Sequence, residues 1–527
     1  MNVIKLRSAA LAAVVVSGCS GSAPAPTPTP TTPTIATLPV TLSAASANVT
    51  ANEAQAASFA FTANYTGTSR DPIVADVQVA GKRIELDGTP VASGASFNVP
   101  LRVASLLPGG TSTNTVTFRL CTSSACSTVY PGSTQTFTVN LDVRLKDWAT
   151  FQRDAGHTGY VAANYVTSEF GTASAWSISS PAPYAPSEIA ARRGSIFVNL
   201  RQSTGNLITR AVNPASGATL WSYDLGRNSY SSGPSYSNGR VVSMAMDLSS
   251  GSIPMQIINA DSGAAAGTTS YASQFSNGGV PTPVGDNLYF QAGYYGNVVY
   301  AANAASGGSL WARDTTQPSE GYVHEGESVA VDDNYVYFFG GGNLFALNRN
   351  SGTIAHKIRN PYFTKFGLSY FGGYRGAPIL GRNGRIFTFT DNRSPNYADS
   401  LIAFSLSSAT PLWRSAATYF GHPALRDDTL FAIRSDGRTI DMINAATGAV
   451  SGSIDLGSSR GSLMSNIVVT GSHLFVANAT ATYAIDLQQS TYPVVWSAAQ
   501  GGALAITPDN MLVISAGNGV YAYKLTS

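Results

Sequence analysis

Cysteine is nearly missing from this 527-residue chain: it occurs at positions 19, 121 and 126 and nowhere after them. Charge is scarce too, with Asp, Glu, Lys and Arg at 11% of residues against roughly a quarter in an average soluble domain. The 31 basic residues nearly cancel the 29 acidic ones, leaving a formal charge of +2. No basic run is long enough to neutralise a phosphate backbone, which excludes nucleic acid as a partner. No stretch reaches the roughly 18 uninterrupted apolar residues of a membrane-spanning helix. No histidine precedes His157, so Cys121 and Cys126 lack the further ligands a zinc site needs. What is plentiful is Gly (51), Pro (27) and Tyr (25), within a chain that is 44% hydrophobic. That balance excludes disorder and points to many short strands joined by turns. The length suggests about two to four domains.

The first 18 residues have the form of an export signal. Lys5 and Arg7 precede an apolar run from Ala9 to Val16, which ends in Ser17 and Gly18 before Cys19. Val16-Ser17-Gly18-Cys19 resembles the lipobox of bacterial lipoproteins, and the resemblance implies cleavage before Cys19 and acylation of its thiol and new amine. Several acyl chains, at about 0.8 kcal/mol per buried methylene, anchor a protein stably. Ser20 stands where an Asp would retain a Gram-negative lipoprotein in the inner membrane, so the same resemblance implies the outer membrane. Residues 19–39 continue as a Pro/Thr-rich linker, extended and unable to bury a core.

Residues 40–146 carry period-two runs at Val40 to Leu42, Ala57 to Tyr65, Ile73 to Val79, Ser96 to Val103, Thr115 to Cys121 and Thr136 to Leu145. This patterning predicts an immunoglobulin-like β-sandwich of about 100 residues. In an exported chain, Cys121 and Cys126 read as a structural disulfide.

From residue 147 to 527 a repeat takes over. Asn213-Pro-Ala-Ser216-Gly217-Ala-Thr-Leu-Trp221 is matched by Asn303-Ala-Ala-Ser306-Gly307-Gly-Ser-Leu-Trp311. Weaker copies follow at Asn259, Asn348 and Asn444, at Ala403 to Trp413, and at Ala484 to Trp496, each after strand-like runs such as Asn287-Leu-Tyr-Phe290. Trp176 and Trp221 are 45 residues apart, and Trp221 and Trp311 are 90 apart. A period in the forties built only from strands predicts a β-propeller. Outer strands near 176, 221, 267, 311, 356, 413, 453 and 496 give eight blades, with the Trp packed between neighbours. Trp176 lies on an outer strand with no blade before it, and Val520 to Leu525 is a third strand with none after it. Paired, they would close the ring.

The Asn-x-x-Ser/Thr-Gly-x-x-x-Trp unit, with the leading segment Asp147-Trp148 through Gly156-His157-Thr-Gly159-Tyr160, resembles the quinoprotein-like propeller family over about 380 residues. The family contains quinone-dependent dehydrogenases and also non-enzymatic propellers such as the lipoprotein subunit of the outer-membrane barrel-assembly machinery. The dehydrogenases commonly place adjacent cysteines over pyrroloquinoline quinone and hold Ca²⁺ with carboxylates. This propeller has no cysteine, and no aligned set of Glu, Asn and Asp is found, so the expectation is no cofactor.

The loops expected around the channel mouth carry Tyr294, Tyr295, Tyr322, His324, Glu325, Glu327, Tyr370, Tyr374, Arg375, His422 and Arg460. Aromatics mixed with both charges suit a protein partner or a cell-surface glycan. His324, Glu325 and Glu327 are too few and too alternately directed for a metal. Ser462 with His473 and Asp486 lacks a nucleophile elbow and is rejected as a triad. The sequence thus predicts a lipid-anchored, non-enzymatic envelope protein, with a quinone dehydrogenase and a polysaccharide-binding or polysaccharide-cleaving surface protein as alternatives.

Overall fold

A computed structural model describes residues 35–180, 187–228, 230–246, 251–272, 279–294, 296–316, 328–363, 378–390, 399–408, 410–463 and 465–527. Cys19, the signal-like segment and the first part of the linker lie outside these residues. Among the described residues the regular structure is strand, with three short 3-10 turns, and no helix is long and apolar enough to cross a membrane.

The first part of the chain makes two sheets. One orders Val40–Leu42, Ser58–Tyr65, Ser96–Val103 and Ile84–Leu86, with Val91–Ser93 also paired to Ser96–Val103. The other orders Ser46–Asn52, Gln135–Arg144, Gly110–Cys121 and Val74–Val79. Alternate residues of Ser96–Val103 and Gln135–Arg144 are buried, so each sheet has one dry face. The dry faces share one core, in which Phe61 stacks on Phe137 at 4.4 Å and meets the edge of Phe118 at 6.4 Å. Cys121 and Cys126 are joined as a disulfide, their Cα atoms 5.0 Å apart. Three strands were not legible from patterning: Ser46–Asn52, Ile84–Leu86 and Val91–Ser93. The first is almost wholly polar and small, and it pairs in parallel with Gln135–Arg144, a partner no local turn could reveal.

The rest of the chain is a β-propeller. Ala190–Arg192, Ser195–Arg201, Leu207–Val212 and Thr219–Gly226 form an antiparallel meander, innermost strand first. The pattern recurs along the chain. In one seven-stranded sheet the 14-residue strand Trp413–Arg426 serves as the last strand of one meander and the first of the next. Its pairing shifts register around Gly421, whose φ of +71° is left-handed. Gly502–Ile506, Met511–Ala516 and Gly519–Lys524 are completed by Trp176–Ser179, the first strand of the array pairing with the last. Second strands such as Met511–Ala516 and His473–Ala477 are buried at every residue, because both of their faces meet neighbouring sheets.

The repeat motif explains how one sheet is attached to the next. In the Asn213 turn, the side-chain oxygen accepts the Ala215 and Ser216 backbone N–H groups, and Gly217 adopts φ +69°. The Trp of the preceding sheet lies on that glycine. Trp176, Trp221, Trp311 and Trp413 donate their indole N–H to the carbonyls of Pro214, Ala260, Arg349 and Ala445. Each acceptor is the residue after the turn Asn of the following sheet. A Cβ on Gly217, Gly263, Gly352 or Gly448 would fall within 2.7 Å of the Trp ring. Where Gly267 replaces Trp, the backbone itself closes in, and a Cβ on Gly307 would meet Thr268 O at 2.3 Å. Trp496 donates instead to Gly171, in the segment that takes the place of a turn where the ring is joined.

Candidate functional site

The segment between the two parts of the chain lies across the propeller channel. From residue 148 onward it bonds to the innermost strands, or the residues just before them, in nearly chain order. Trp148 exchanges backbone bonds with Ala191, Ala149 accepts from Tyr236, and the Thr150 hydroxyl donates to Pro281. Ala155, Gly156, Thr158 and Gly159 then accept from Val331, Leu380, Leu425 and Val469. Tyr160–Val161 finishes as a parallel strand on Val468–Thr470. The path requires left-handed backbone at Gln152, Arg153 and His157, with φ of +49°, +81° and +56°. Such strain persists only where surrounding bonds over-determine it, and here they do. Gln152 donates to Pro423 and Ile467 and accepts from Asn466, while His157 Nδ1 lies 3.2 Å from the Pro378 carbonyl. That carbonyl can only accept, so Nδ1 carries the proton. Complete burial pushes the His157 pKa down to about 4 and keeps the ring neutral.

The sandwich holds this segment from one side. Glu53 accepts the Lys146 and Ala162 backbone N–H groups, each at 2.7 Å, and pairs with the Arg153 guanidinium. Burial pushes the Glu53 carboxyl up, but the Arg153 charge and these hydrogen bonds outweigh it and leave its pKa lowered. Gly109 and the Asn510 side chain exchange two bonds at 3.0 and 2.8 Å, and Asp142 accepts from Arg193 at 2.7 Å. Arg193 and Asn510 sit in turns between first and second strands. The sandwich therefore covers that end of the innermost strands and leaves the other end open.

At the open end is a cleft of about 320 Å³. Trp148, Phe151 and Gln152 line it from the cross-channel segment. Around them stand Glu188–Ile189, His422, Ser465–Asn466, Asn478–Ala479, Gly502–Ala505 and Ser515. His422 meets Phe151 edge-on, with centroids 4.7 Å apart. Asn466 exchanges bonds with Leu504 at 2.8 and 2.9 Å, tying two sheets together at the wall. Burial raises the Glu188 pKa, and no cation among the described residues lowers it again.

Of the rim residues expected from the sequence, His422 lines this cleft. Arg460 is further out, over the Tyr483 ring at 5.8 Å and donating to the Leu456 carbonyl. Tyr294 ends the strand Asn287–Tyr294. Tyr295, Tyr322, His324, Glu325, Glu327, Tyr370, Tyr374 and Arg375 lie outside the described residues. His473 is occupied by Ser472 and Thr167 at 2.8 and 2.9 Å, while Ser462 packs against Gly437. Glu188, Gln152, Asn466 and Asn478 were not legible as site residues. Each occurs once, outside the repeat motif, and only ring closure brings them together.

Residues 204–451 match a family model described as outer membrane protein assembly factor BamB. No curated protein matches the chain in sequence. Among solved structures, BamB from Moraxella catarrhalis is 17% identical, covering 64% of this chain and 96% of its own, with a TM-score of 0.48. Sqt1 from Saccharomyces cerevisiae is 12% identical over 69% of this chain and 99% of its own, at a TM-score of 0.47. The Dos1 propeller is 11% identical over 73% and 95%, at 0.45.

The described cleft does not suit pyrroloquinoline quinone. That cofactor carries three carboxylates, whereas the lining presents Glu188 and no Lys or Arg. The one group of three described side chains close enough to share a metal is Asp76, Cys121 and Cys126, and its two thiols are consumed in the disulfide.

Proposed function

We propose that this chain is a lipid-anchored envelope protein, acylated at Cys19 and held at the outer membrane, that binds a protein partner and catalyses nothing. In this reading residues 40–146 are an immunoglobulin-like sandwich and residues 147–527 an eight-bladed propeller. The observation that carries it is the cross-channel segment. With residues 148–163 bonded across the channel, the open face ends in a lined cleft suited to a side chain of another protein. The match of residues 204–451 to the assembly-factor model supports a binding role within the envelope. A protein is favoured over a glycan because Trp148 and Phe151, at 2% and 5% exposure, offer little ring face for a sugar to stack on.

The test is a photo-crosslinking residue at Ala479, exposed at the cleft, and a second at Asp333, exposed on a turn between first and second strands. Illumination of intact cells is expected to give a discrete protein adduct from position 479 and none from 333. No adduct, or the same adducts from both, would overturn the reading. A quinone chromophore in the purified protein would replace it with the dehydrogenase alternative.

A further inference from the structure

We propose that the channel-mouth cleft seats one cationic side chain, lysine or arginine, presented by the partner, with the Glu188 carboxylate as its counter-charge. This rests on the reading that the open face engages a protein. Glu188 is set just before the innermost strand Ala190–Arg192, and its backbone is pinned from two sides. Ser515 donates to the Ser187 carbonyl at 2.6 Å, and the Ser187 hydroxyl accepts the Asn199 N–H at 3.2 Å and donates to the Glu188 carbonyl at 2.9 Å. The backbone that carries the Glu188 side chain is therefore placed by the fold. Space beside it is kept by a glycine: a Cβ on Gly233 would come within 3.3 Å of a Glu188 carboxylate oxygen and 3.2 Å of its Cβ.

Three arginines described in the propeller are paired elsewhere. Arg153 holds Glu53, Arg434 holds Asp441, and Arg192 holds Asp261. No described cation reaches Glu188. A carboxylate partly withdrawn from water and lacking a counter-ion gains from a cation that pairs with it. The remaining lining matches the rest of a long cationic side chain. Ile189, Ala503, Leu504 and Ala505 offer apolar walls to a methylene stem. His422 is the other titratable side chain lining the cleft. Burial raises the Glu188 pKa, so its pairing with a cation is expected to weaken as pH falls.

The experiment uses the full chain in detergent and three capped pentapeptides, Ala-Ala-X-Ala-Ala with X as Arg, Lys or norleucine, titrated calorimetrically at pH 8 and pH 6. At pH 8 the Arg or Lys peptide is expected to bind at least tenfold tighter than the norleucine peptide. Glu188→Gln should bring all three within about twofold of one another while its melting temperature stays at the wild-type value. Equal affinities for all three peptides on the wild type, or an unchanged preference in Glu188→Gln, would overturn the proposal. Should the variant melt early, the wild type at the two pH values decides instead. The preference for the Arg or Lys peptide over norleucine is expected to be smaller at pH 6 than at pH 8, and a preference that does not fall would overturn the proposal. An Ala479 adduct that forms equally in Glu188→Gln cells sinks the cation site and leaves the protein-binding reading standing. Absence of the adduct in wild-type cells sinks both.

Discussion

Glu53, in the sandwich, and Arg153, in the segment across the propeller channel, form an ion pair whose side chains are 3% and 4% exposed. Their carboxylate and guanidinium are a hundred residues apart in sequence, and each sits among backbone groups of the junction. The pair makes the sandwich part of the channel closure instead of a detached spacer. Removing one member leaves the other charged and dry, a loss of about 3–5 kcal/mol. Glu53→Gln is therefore expected to lower stability by that amount in urea unfolding and to expose Lys146 to trypsin before global unfolding. Glu53→Gln combined with Arg153→Met should recover part of the loss. Equal stability of wild type and Glu53→Gln would show that the two parts do not depend on this contact.

The glycines under the tryptophans allow a paired comparison within one sheet. Gly263 and Gly239 have φ of +71° and +74°, so alanine at either bears about 1–2 kcal/mol of left-handed strain. They differ in surroundings. A Cβ at 263 would lie 2.7 Å from the Trp221 ring, whereas nothing stands within 4 Å of one at 239. Gly263→Ala is expected to cost a further 1–3 kcal/mol or so by overpacking. Thermal melts of the two variants measure the difference, and equal melting temperatures would mean that the Trp moves aside freely.

Acid should act on the channel through His157. Its folded pKa of about 4 lies below the ordinary 6.5, so between those values the unfolded chain binds the proton and the folded one does not. The stability this neutral ring contributes is complete above pH 6.5 and falls as pH drops towards 4. The loss is about 2 kcal/mol by pH 5. Asp147 opposes it, since burial raises its pKa to about 6 and favours the fold as pH falls through that value. Glu53, lowered from 4.5, takes part only below this window. The clean reading is thus a difference: the stability of wild type minus that of His157→Gln should shrink by about 2 kcal/mol between pH 7 and pH 5. A constant difference would place the titration elsewhere.

The disulfide closes a loop of only five residues, so its entropic contribution is small, about 2 kcal/mol. Reduction, or Cys121→Ser with Cys126→Ser, is expected to lower sandwich stability by that amount without unfolding it. The hairpin is also held by Ser133, whose hydroxyl accepts the Leu120 N–H at 3.1 Å. A fully unfolded sandwich at pH 7 would contradict this.

Much of the architecture could be read from local pattern. The Asn213 turn makes its own bonds to residues two and three ahead, so its motif is visible wherever it recurs. The alternation in Ser96–Val103 likewise announces a strand with one dry face. Ser46–Asn52 could not be read this way, because its fit comes from parallel pairing with a strand some ninety residues on. Of the candidate rim, His422 reached the described cleft, whereas Glu188 drew no notice as one acid among small residues.

The sequence by itself determined the repeat, its period, its turns and the Trp on most outer strands, because each is written in residues a few positions apart. Only the tertiary structure decided that the Trp seals against the turn of the next sheet, 32 to 39 residues away. It likewise decided that residues 148–163 cross the channel, and that Glu53 locks them there. Those contacts join side chains and carbonyls 32 to more than 300 residues apart. Contacts at such separations leave no periodicity to read, since what selects them is the closure of the ring.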